Sequence, residues 1–587
     1  MCYNKAIFYL SEERFMRVSQ SKSKNSTSLY IIESVYTKDN KHTTRIVKKL
    51  GTVEELSKEH EDPLAWAKEV AKQMTEEAEQ NKQRIKISYN PSKHIPQGEQ
   101  ALFNGGYLFL QQIYYRLGLD KITKTIHDRY KFEYDLNDIL RLLVFGRILF
   151  PKSKKATFED GQKLLEQPEF KPHDIYRALE VLAKESDTIQ SALYQNSKKV
   201  MKRNTSILYY DCTNFFFELE EASGIRQYGV SKENRPNPIV QMGLFTDADG
   251  IPFAFAINPG NTSEQTTLKP LEQKIIRDFG KSRFVVCTDA GLSSMANRRF
   301  NTLQDRAFIT IQSIKKMKAF QKQWALDPTG WHLEGSQAVY DLNEILEDPE
   351  AEDKYMDLVF YKERWFKEGD LEQRYIVSFS LKYKLYQASL RKEHVERAQK
   401  ILDRGGYKRK GRNDPARFVS QLYFDADGAI CDESLAYLNQ ERIQDEAMYD
   451  GFYCVATNLE EEASVILKAN RRRWEIEESF RILKSEFKAR PVYLSRDDRI
   501  EAHFLICFLS LYIFRILEKQ LGERYSVEQI VHTLRHMDFL EARNDGYIPV
   551  YKRSELTDLL HEQAGFYTDF EILSVKDMRK VIKQSKQ

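Results

Sequence analysis

The sequence predicts a multi-domain α/β protein, with a mixed sheet that opens on an antiparallel hairpin, flanking helices, a β-rich insertion and a helical N-terminal region. Three observations predict it. The chain has 587 residues, several times an ordinary domain, so a single core is not enough. Its 41% hydrophobic and 30% charged residues supply several cores and exclude a disordered or collagen-like chain. From Ser206 onward, short apolar runs alternate with helical stretches in the order strand, strand, strand, helix, strand, helix, strand.

Residues 1–55 read as a β-hairpin region. Ser28 to Tyr36 alternates in strand fashion, Lys38-Asp39-Asn40-Lys41 is a polar turn, and Thr43 to Leu50 returns. Residues 56–205 read as helical, from Val53 through Lys82 and, after the Pro91/Pro96 break, from Gly106 to Met201. This is the expected DNA-binding region, because Tyr114-Tyr115-Arg116 and the run Arg147 to Lys155 mix basic and aromatic residues suited to gripping phosphates. Solvated helix faces carry similar charge.

Residues 206–314 form the first part of the core. Ile207 to Thr213, Pro238 to Phe245 and Phe253 to Ile257 read as strands, and Asp249-Gly250 is a tight-turn signal that makes the last two antiparallel. A helix from about Glu264 to Phe279, with Ser263 as N-cap, precedes a buried strand from Arg283 to Asp289. Ser293 to Gln304 is a second helix and Ala307 to Ile311 another strand. Residues 315–459 are expected to be a β-rich inserted domain containing one very basic helical stretch, Arg391 to Arg412. A long helix from about Glu460 to Lys488 opens the second part of the core, 460–525, and helices continue through 526–587.

The net charge, 90 − 87 = +3, neither demands nor excludes nucleic acid, so local clusters decide. Six cysteines without a C-x-x-C pair argue against a disulfide framework or a structural zinc site and fit a reducing cytoplasm. No signal-peptide pattern opens the chain. The apolar run Phe504 to Phe514 is too short to span a bilayer, so a soluble protein without a membrane partner is expected.

Three acidic residues stand out. Asp211 and Asp289 are expected where apolar strands end, and an unpaired carboxylate there is costly as packing. Each also fits a loop start or a helix cap. At about 100° per residue from Arg473, Glu477 falls near +40° and Lys484 near +20°, flanking the stripe of Ile476, Phe480, Leu483 and Phe487. Glu475 and Glu478 project away from that flank and are expected to be solvated. Two Asp at strand ends and a Glu on a late helix suit two-metal phosphoryl transfer, in which carboxylates hold two Mg2+ ions about 4 Å apart. Arg473 and Lys484 would contact substrate phosphates.

At these residues the chain resembles a family. Tyr210-Asp211-Cys212-Thr213, Asp249-Gly250-Ile251-Pro252, Pro259 to Glu264, Thr288-Asp289-Ala290-Gly291 and Arg471 to Lys484 look like the DDE transposases of bacterial insertion sequences. More narrowly they are similar to the insertion-sequence 4 superfamily, marked by Y-x2-R-x3-E-x6-K; Arg473, Glu477 and Lys484 keep the spacing, while Asn470 stands at the tyrosine position. The resemblance implies an RNase H-like catalytic core with Asp211, Asp289 and Glu477 as catalytic metal ligands for two Mg2+, Mn2+ being able to replace them. It also implies cleavage at the element's ends followed by transfer of the 3′-hydroxyl into target DNA. The partners it implies are double-stranded DNA, as terminal inverted repeats and target, and a second copy in a homodimer on DNA. The setting is bacterial cytoplasm, with nucleoid association when DNA is bound.

Further DNA contacts are expected at Arg481, at the basic cluster Lys408, Arg409, Lys410 and Arg412, and at Lys232 and Arg235. Asp247 and Asp249 read as turn residues, and His503 as a satisfied core or surface histidine. Trp324, Trp331 and Trp365 are core residues or, by the resemblance, stacking platforms for a flipped base. Two other functions stay open: a catalytically silent DNA-binding protein derived from a transposase, and an RNase H-like nuclease that cuts without joining.

Overall fold

The computed structural model describes residues 16–23, 26–36, 42–82, 87, 90–94, 97–405, 411, 413–423, 434–542 and 545–587. The basic cluster Lys408, Arg409, Lys410 and Arg412 lies outside the described residues. The chain divides into two compact units, Met1–Ala101 with Glu541–Ile548 and Phe570–Met578, and Leu102–Leu540 with Pro549–Asp569 and Arg579–Gln587.

In the first unit, strands Arg17–Lys22, Thr27–Tyr36 and His42–Thr52 form an antiparallel sheet in sequence order, one strand more than the hairpin expected. Their alternation buries Leu29 and Ile31, and Leu29 clusters with Leu56 and Ala67. The predicted helix over 53–82 is two helices, Val53–Leu56 and Pro63–Lys82. Thr52 starts the first with a capping box: Glu55 N donates to its hydroxyl at 3.3 Å, and its own N donates to the Glu55 carboxylate at 3.0 Å.

The second unit is built on a nine-stranded sheet. Its strands are β1 (Ile207–Phe216), β2 (Ile239–Asp247), β3 (Pro252–Pro259), β4 (Val285–Thr288), β5 (Ala307–Ile311), β6 (His332–Leu333), β7 (Phe360–Glu368), β8 (Leu371–Phe379) and β9 (Phe452–Thr457). They lie in the order β6-β7-β8-β9-β5-β4-β1-β2-β3. Among the described residues, the parallel pairings of this sheet are β1 with β4 and β4 with β5. Within 315–459, read as a β-rich insertion, four of the strands are β7, β8, β9 and Val419–Tyr423. Three of them continue this sheet, because β9 pairs antiparallel with β5, Val455 opposite Ile311, and with β8 on its other side. Among the described residues Val419–Tyr423, the fourth, pairs with Ser434–Leu438 alone.

Both faces of the parallel centre are covered, as its apolar strands require. On one face, helix Glu264–Asp278 packs Leu268, Leu271 and Ile275 against Leu208, Tyr210, Cys212 and Val286. On the other lies helix Asp497–Gln520, whose Phe504 and Phe508 meet Phe215 and Phe255 at ring distances of 4.9 Å. That helix is long and apolar enough by composition to cross a membrane, yet 94% of its apolar window is buried inside the fold. Its other side meets the N-terminal helices, where Ser510 Oγ donates to Val144 O at 3.1 Å within helix Leu136–Leu149.

Two further expectations change. The single helix expected over 460–488 is Ala463–Arg471, then Trp474–Arg481, then a π turn at Ile482–Glu486. The C-terminal region is not purely helical, since residues 538–540 pair antiparallel with 102–104.

Candidate active site

Asp211 does not end its strand; it is the fifth residue of ten in β1. What ends beside it is β4. The parallel register sets Ile207, Leu208 and Tyr209 opposite Val285, Val286 and Cys287, and β4 stops at Thr288. Continuing that register by two residues brings Asp289 level with Asp211 and on the same face. Neighbouring strands lie about 4.8 Å apart, which brings the Asp289 charge within reach of Asp211. Burial pushes the Asp211 carboxyl up to about 6; the Asp289 charge adds to the rise, against the opposing pull of Lys232 and Arg473. Asp211 accepts from Cys212 N at 2.7 Å and Asp289 from Leu292 N at 3.0 Å, so Asp289 also caps the turn that follows it.

Alternation along β1 sends Tyr209, Asp211, Thr213 and Phe215 to one face. Tyr209 donates to Ala469 O at 2.8 Å, and Lys484 Nζ donates to Thr213 Oγ1 at 2.6 Å. Segment 469–484 therefore runs along this face, anchored before and after Asp211, with Arg473 and Glu477 in the interval between. Arg473 reaches the Glu477 carboxylate at 3.5 Å while its charge also acts on Asp211. Glu477 itself is exposed, its side chain retaining 63% of its accessible surface.

The phase of this helix is set by Glu475, which is not solvated. It is buried and ion-paired with the equally buried Arg515 of helix Asp497–Gln520; Arg515 also meets Glu518 at 2.5 Å and donates to Gly250 O at 3.2 Å. Gly250 has a φ of +74°, and a Cβ there would stand 2.3 Å from Arg515, so the β2–β3 turn needs glycine for both conformation and space. With Glu475 held inward, Glu477 two residues on faces outward.

Lys232 joins Arg473 and Lys484 around Asp211: its Nζ donates to Cys212 O and lies 3.0 Å from Glu264. Arg235 is 3.7 Å from Glu233 and its guanidinium lies 4.1 Å from the centre of the Phe216 ring. Arg481 is paired with Glu478 at 2.5 Å on its own helix. Asn470, at the tyrosine position, is buried and donates to the Tyr453 hydroxyl of β9 at 3.0 Å. Burial raises the pKa of that hydroxyl, which Asn470 and Arg473 hold partly back. Sequence reasoning missed Thr213, Tyr453 and Arg515; only Thr213, two residues from Asp211 on an alternating strand, carried a usable signal.

Asp247, His503 and Trp331 serve the fold. Asp247 is fully buried, accepts from Asp249 N at 3.1 Å and Ile251 N at 2.9 Å, and pairs with Arg203 at 2.6 Å. His503 is buried with Nε2 3.1 Å from Ala489 O. Trp331 is a core residue, Trp324 packs beside it, and Trp365 is exposed. Arg391, where the basic helical stretch was expected to begin, sits within helix Leu381–Asp403 and is paired with Asp450 at 2.5 Å.

A divalent cation fits the Asp211–Asp289 pair, which concentrates two like charges that burial makes costly to leave uncompensated. Among the described residues no group of three His, Cys, Asp or Glu side chains stands close enough to hold a metal. Glu477 is turned to Arg473 instead.

A family model described as the transposase DDE domain matches residues 215–513, which contain Asp289 and Glu477 and begin four residues after Asp211. A second, described as the IS1634 family transposase N-terminal domain, matches residues 16–85. No curated protein matches. Among solved structures, a piggyBac transposase synaptic complex with hairpin DNA is 7% identical, with 81% of this chain and 88% of that one covered at a TM-score of 0.35. A Mos1 transposase paired-end complex with the left transposon end is 12% identical, with 39% of this chain and 64% of that one covered at a TM-score of 0.12.

Proposed function

We propose a division of catalytic labour for a chain that belongs to the transposase DDE-domain family and is an insertion-sequence DNA transposase, a metal-dependent enzyme that cleaves DNA and transfers the strand. Asp211, Asp289 and Glu477 are its catalytic carboxylates and hold divalent metal, Mg2+ as two ions. The observation that carries this reading is the level of Asp211 on β1 and Asp289 just past the end of the parallel β4, beneath the segment bearing Arg473, Glu477 and Lys484. Glu477 completes the set by a side-chain rotation away from Arg473, which its exposure leaves unhindered. When bound, such ions activate the attacking hydroxyl and stabilise the leaving oxygen.

The chain's own groups do the rest. Arg473, Lys484 and Lys232 converge on the carboxylates and hold the scissile phosphate against the repulsion of Asp211 and Asp289. The order β3-β2-β1-β4-β5, with β2 antiparallel to β1 and β4 and β5 parallel to it, supports an RNase H-like core. On this reading 315–459 is an insertion grafted onto the edge of that core, and 56–205 is a DNA-binding region. The Arg473, Glu477 and Lys484 spacing supports the insertion-sequence 4 superfamily, with Tyr453 supplying the hydroxyl that Asn470 lacks. The substrates are the element's terminal inverted repeats and target DNA, engaged by a homodimer in bacterial cytoplasm.

The test is Glu477→Gln assayed with DNA carrying the inverted repeats that flank the gene. Binding is expected to persist, because phosphate contacts supply most affinity, while cleavage and joined product both disappear. Cleavage near the unmodified rate would refute the assignment, and cleavage without joined product in the unmodified enzyme would favour a nuclease.

A further inference from the structure

Beyond the C-terminal end of β1 the second unit holds a cavity of about 510 Å³ whose lining includes Arg147, Lys152, Lys154, Lys488 and Arg490 and, among the described residues, no Asp or Glu. Of these cations, Lys154, Arg147 and the exposed Lys488 lack a counter-charge among the described residues, and the first two are buried. Lys154 is 6% exposed and has no hydrogen-bond or ion-pair partner among them. Arg147 is equally buried; among the described residues its terminal nitrogens donate only to backbone carbonyls, of Phe487 at 3.2 Å, Lys488 at 3.3 Å and Lys152 at 3.4 Å, and its Nε has no partner. Lys152 and Arg490 are paired outside the cavity lining, with Asp160 and Glu233. Lys154 also opens helix Lys154–Gly161, whose N-cap Ser153 lines the same cavity, so free backbone N–H groups add positive potential there.

Leaving two like charges buried side by side is costly, and a fold normally neutralises or pairs them. Burial, and after it the Arg147 charge, push the Lys154 ammonium down to about 7, so the site holds it charged only at a cost. Packing does not explain the arrangement, since a methionine would fill the same space without that penalty. An anion seated between Lys154, Arg147 and the helix N-terminus explains it.

Location says which anion. Val492, just past Arg490, donates to Phe216 O at 3.2 Å, so the cavity wall joins the strand that carries Asp211. That bond lies five residues along β1 from Asp211, about 17 Å in an extended strand. Such a span is the length of about five nucleotides along duplex DNA. We propose that this cavity is a phosphate-binding pocket that seats one backbone phosphate of the bound DNA away from the cleavage point, and so fixes the duplex over the carboxylates. The pocket rests on the reading of Asp211, Asp289 and Glu477 as the catalytic centre, but uses none of those residues.

The experiment measures binding of the full chain to a labelled random-sequence duplex across a salt series without divalent ions, together with thermal unfolding in chloride and in inorganic phosphate at matched ionic strength. Lys154→Met is expected to weaken duplex binding about tenfold, to reduce the salt slope by about one, and to raise the melting temperature in chloride, because an uncompensated buried charge is gone. Inorganic phosphate should stabilise the unmodified chain and not the variant. Lys488→Asn supplies a check that does not disturb the core: Lys488 is exposed at a φ of +44°, which Asn tolerates, and the change should weaken binding in the same direction. Unchanged duplex affinity in both variants overturns the proposal, and if phosphate still protects the unmodified chain, the pocket serves a free anion and not DNA. Asp211→Asn separates the two readings: loss of cleavage in that variant with normal binding in Lys154→Met removes the pocket and leaves the catalytic centre standing.

Discussion

The two faces of β1 carry alternate residues of one strand and have opposite fates. Toward helix Glu264–Asp278, Tyr210 and Cys212 are buried and closed off, the Tyr210 hydroxyl lying 2.7 Å and the Cys212 sulfur 3.1 Å from Thr267 Oγ1. Toward segment 469–484, Tyr209 and Thr213 are anchored in the same manner, but Asp211 between them is left among Lys232, Arg473 and the like charge of Asp289. One face commits its polar atoms to packing, whereas the other keeps charge available for a ligand. A stability cost accepted at one residue of an otherwise satisfied strand marks function more sharply than polarity alone.

The two faces differ most at Asp211. Asp211→Asn should lower cleavage by about a thousandfold or more while leaving the melting temperature unchanged or higher, because it removes repulsion with Asp289. Cleavage assays and calorimetry on one preparation check both halves. Arg515→Met attacks the dock that sets the phase of the Glu477 helix: it leaves Glu475 buried and unpaired and should cost about 3–5 kcal/mol of stability, read from the denaturant midpoint.

On the packed side, Glu272 of helix Glu264–Asp278 is buried against Asn301, and burial raises its carboxyl to about 7. The folded chain keeps that proton up to about pH 7, whereas an unfolded chain releases it near 4.5, so stability falls as pH rises between those values. Glu272→Gln should therefore stabilise by about 3 kcal/mol at pH 8 and by almost nothing at pH 4, seen as a flattened pH profile of unfolding. The smallest effect is Thr267→Val, which leaves the Tyr210 hydroxyl only the weak Cys212 thiol as partner and should cost about 1 kcal/mol with no change in cleavage rate.

Much of this contrast is legible in the sequence. Strand runs such as Ala307 to Ile311, the Asp249-Gly250 turn and the Arg473, Glu477 and Lys484 spacing are local patterns, and each marks a real element or a shared segment. What local pattern hides is partnership. Glu475 reads as solvated because Arg515 is 40 residues downstream, and the two meet only when separate helices pack. The sheet extension depends on Val455 finding Ile311 far back in the chain, so strands of 315–459 read as a separate domain. Asp211 reads as a strand end because polar Asp211-Cys212-Thr213 interrupts an apolar run, yet the strand continues to Phe216. The assumption of 100° per residue fails at Arg472–Arg473, where one helix ends and another begins, and at the π turn that contains Lys484. The buried Lys154 has no signature of its own within a basic run.

The most direct test of the central claim is the anomalous scattering of Mn2+ in crystals of the full chain bound to an element end. A peak is expected between the Asp211 and Asp289 carboxylates, with Glu477 turned off Arg473 and onto the metal. A peak elsewhere, or an Asp211–Asp289 pair without metal while Glu477 stays on Arg473, would contradict it.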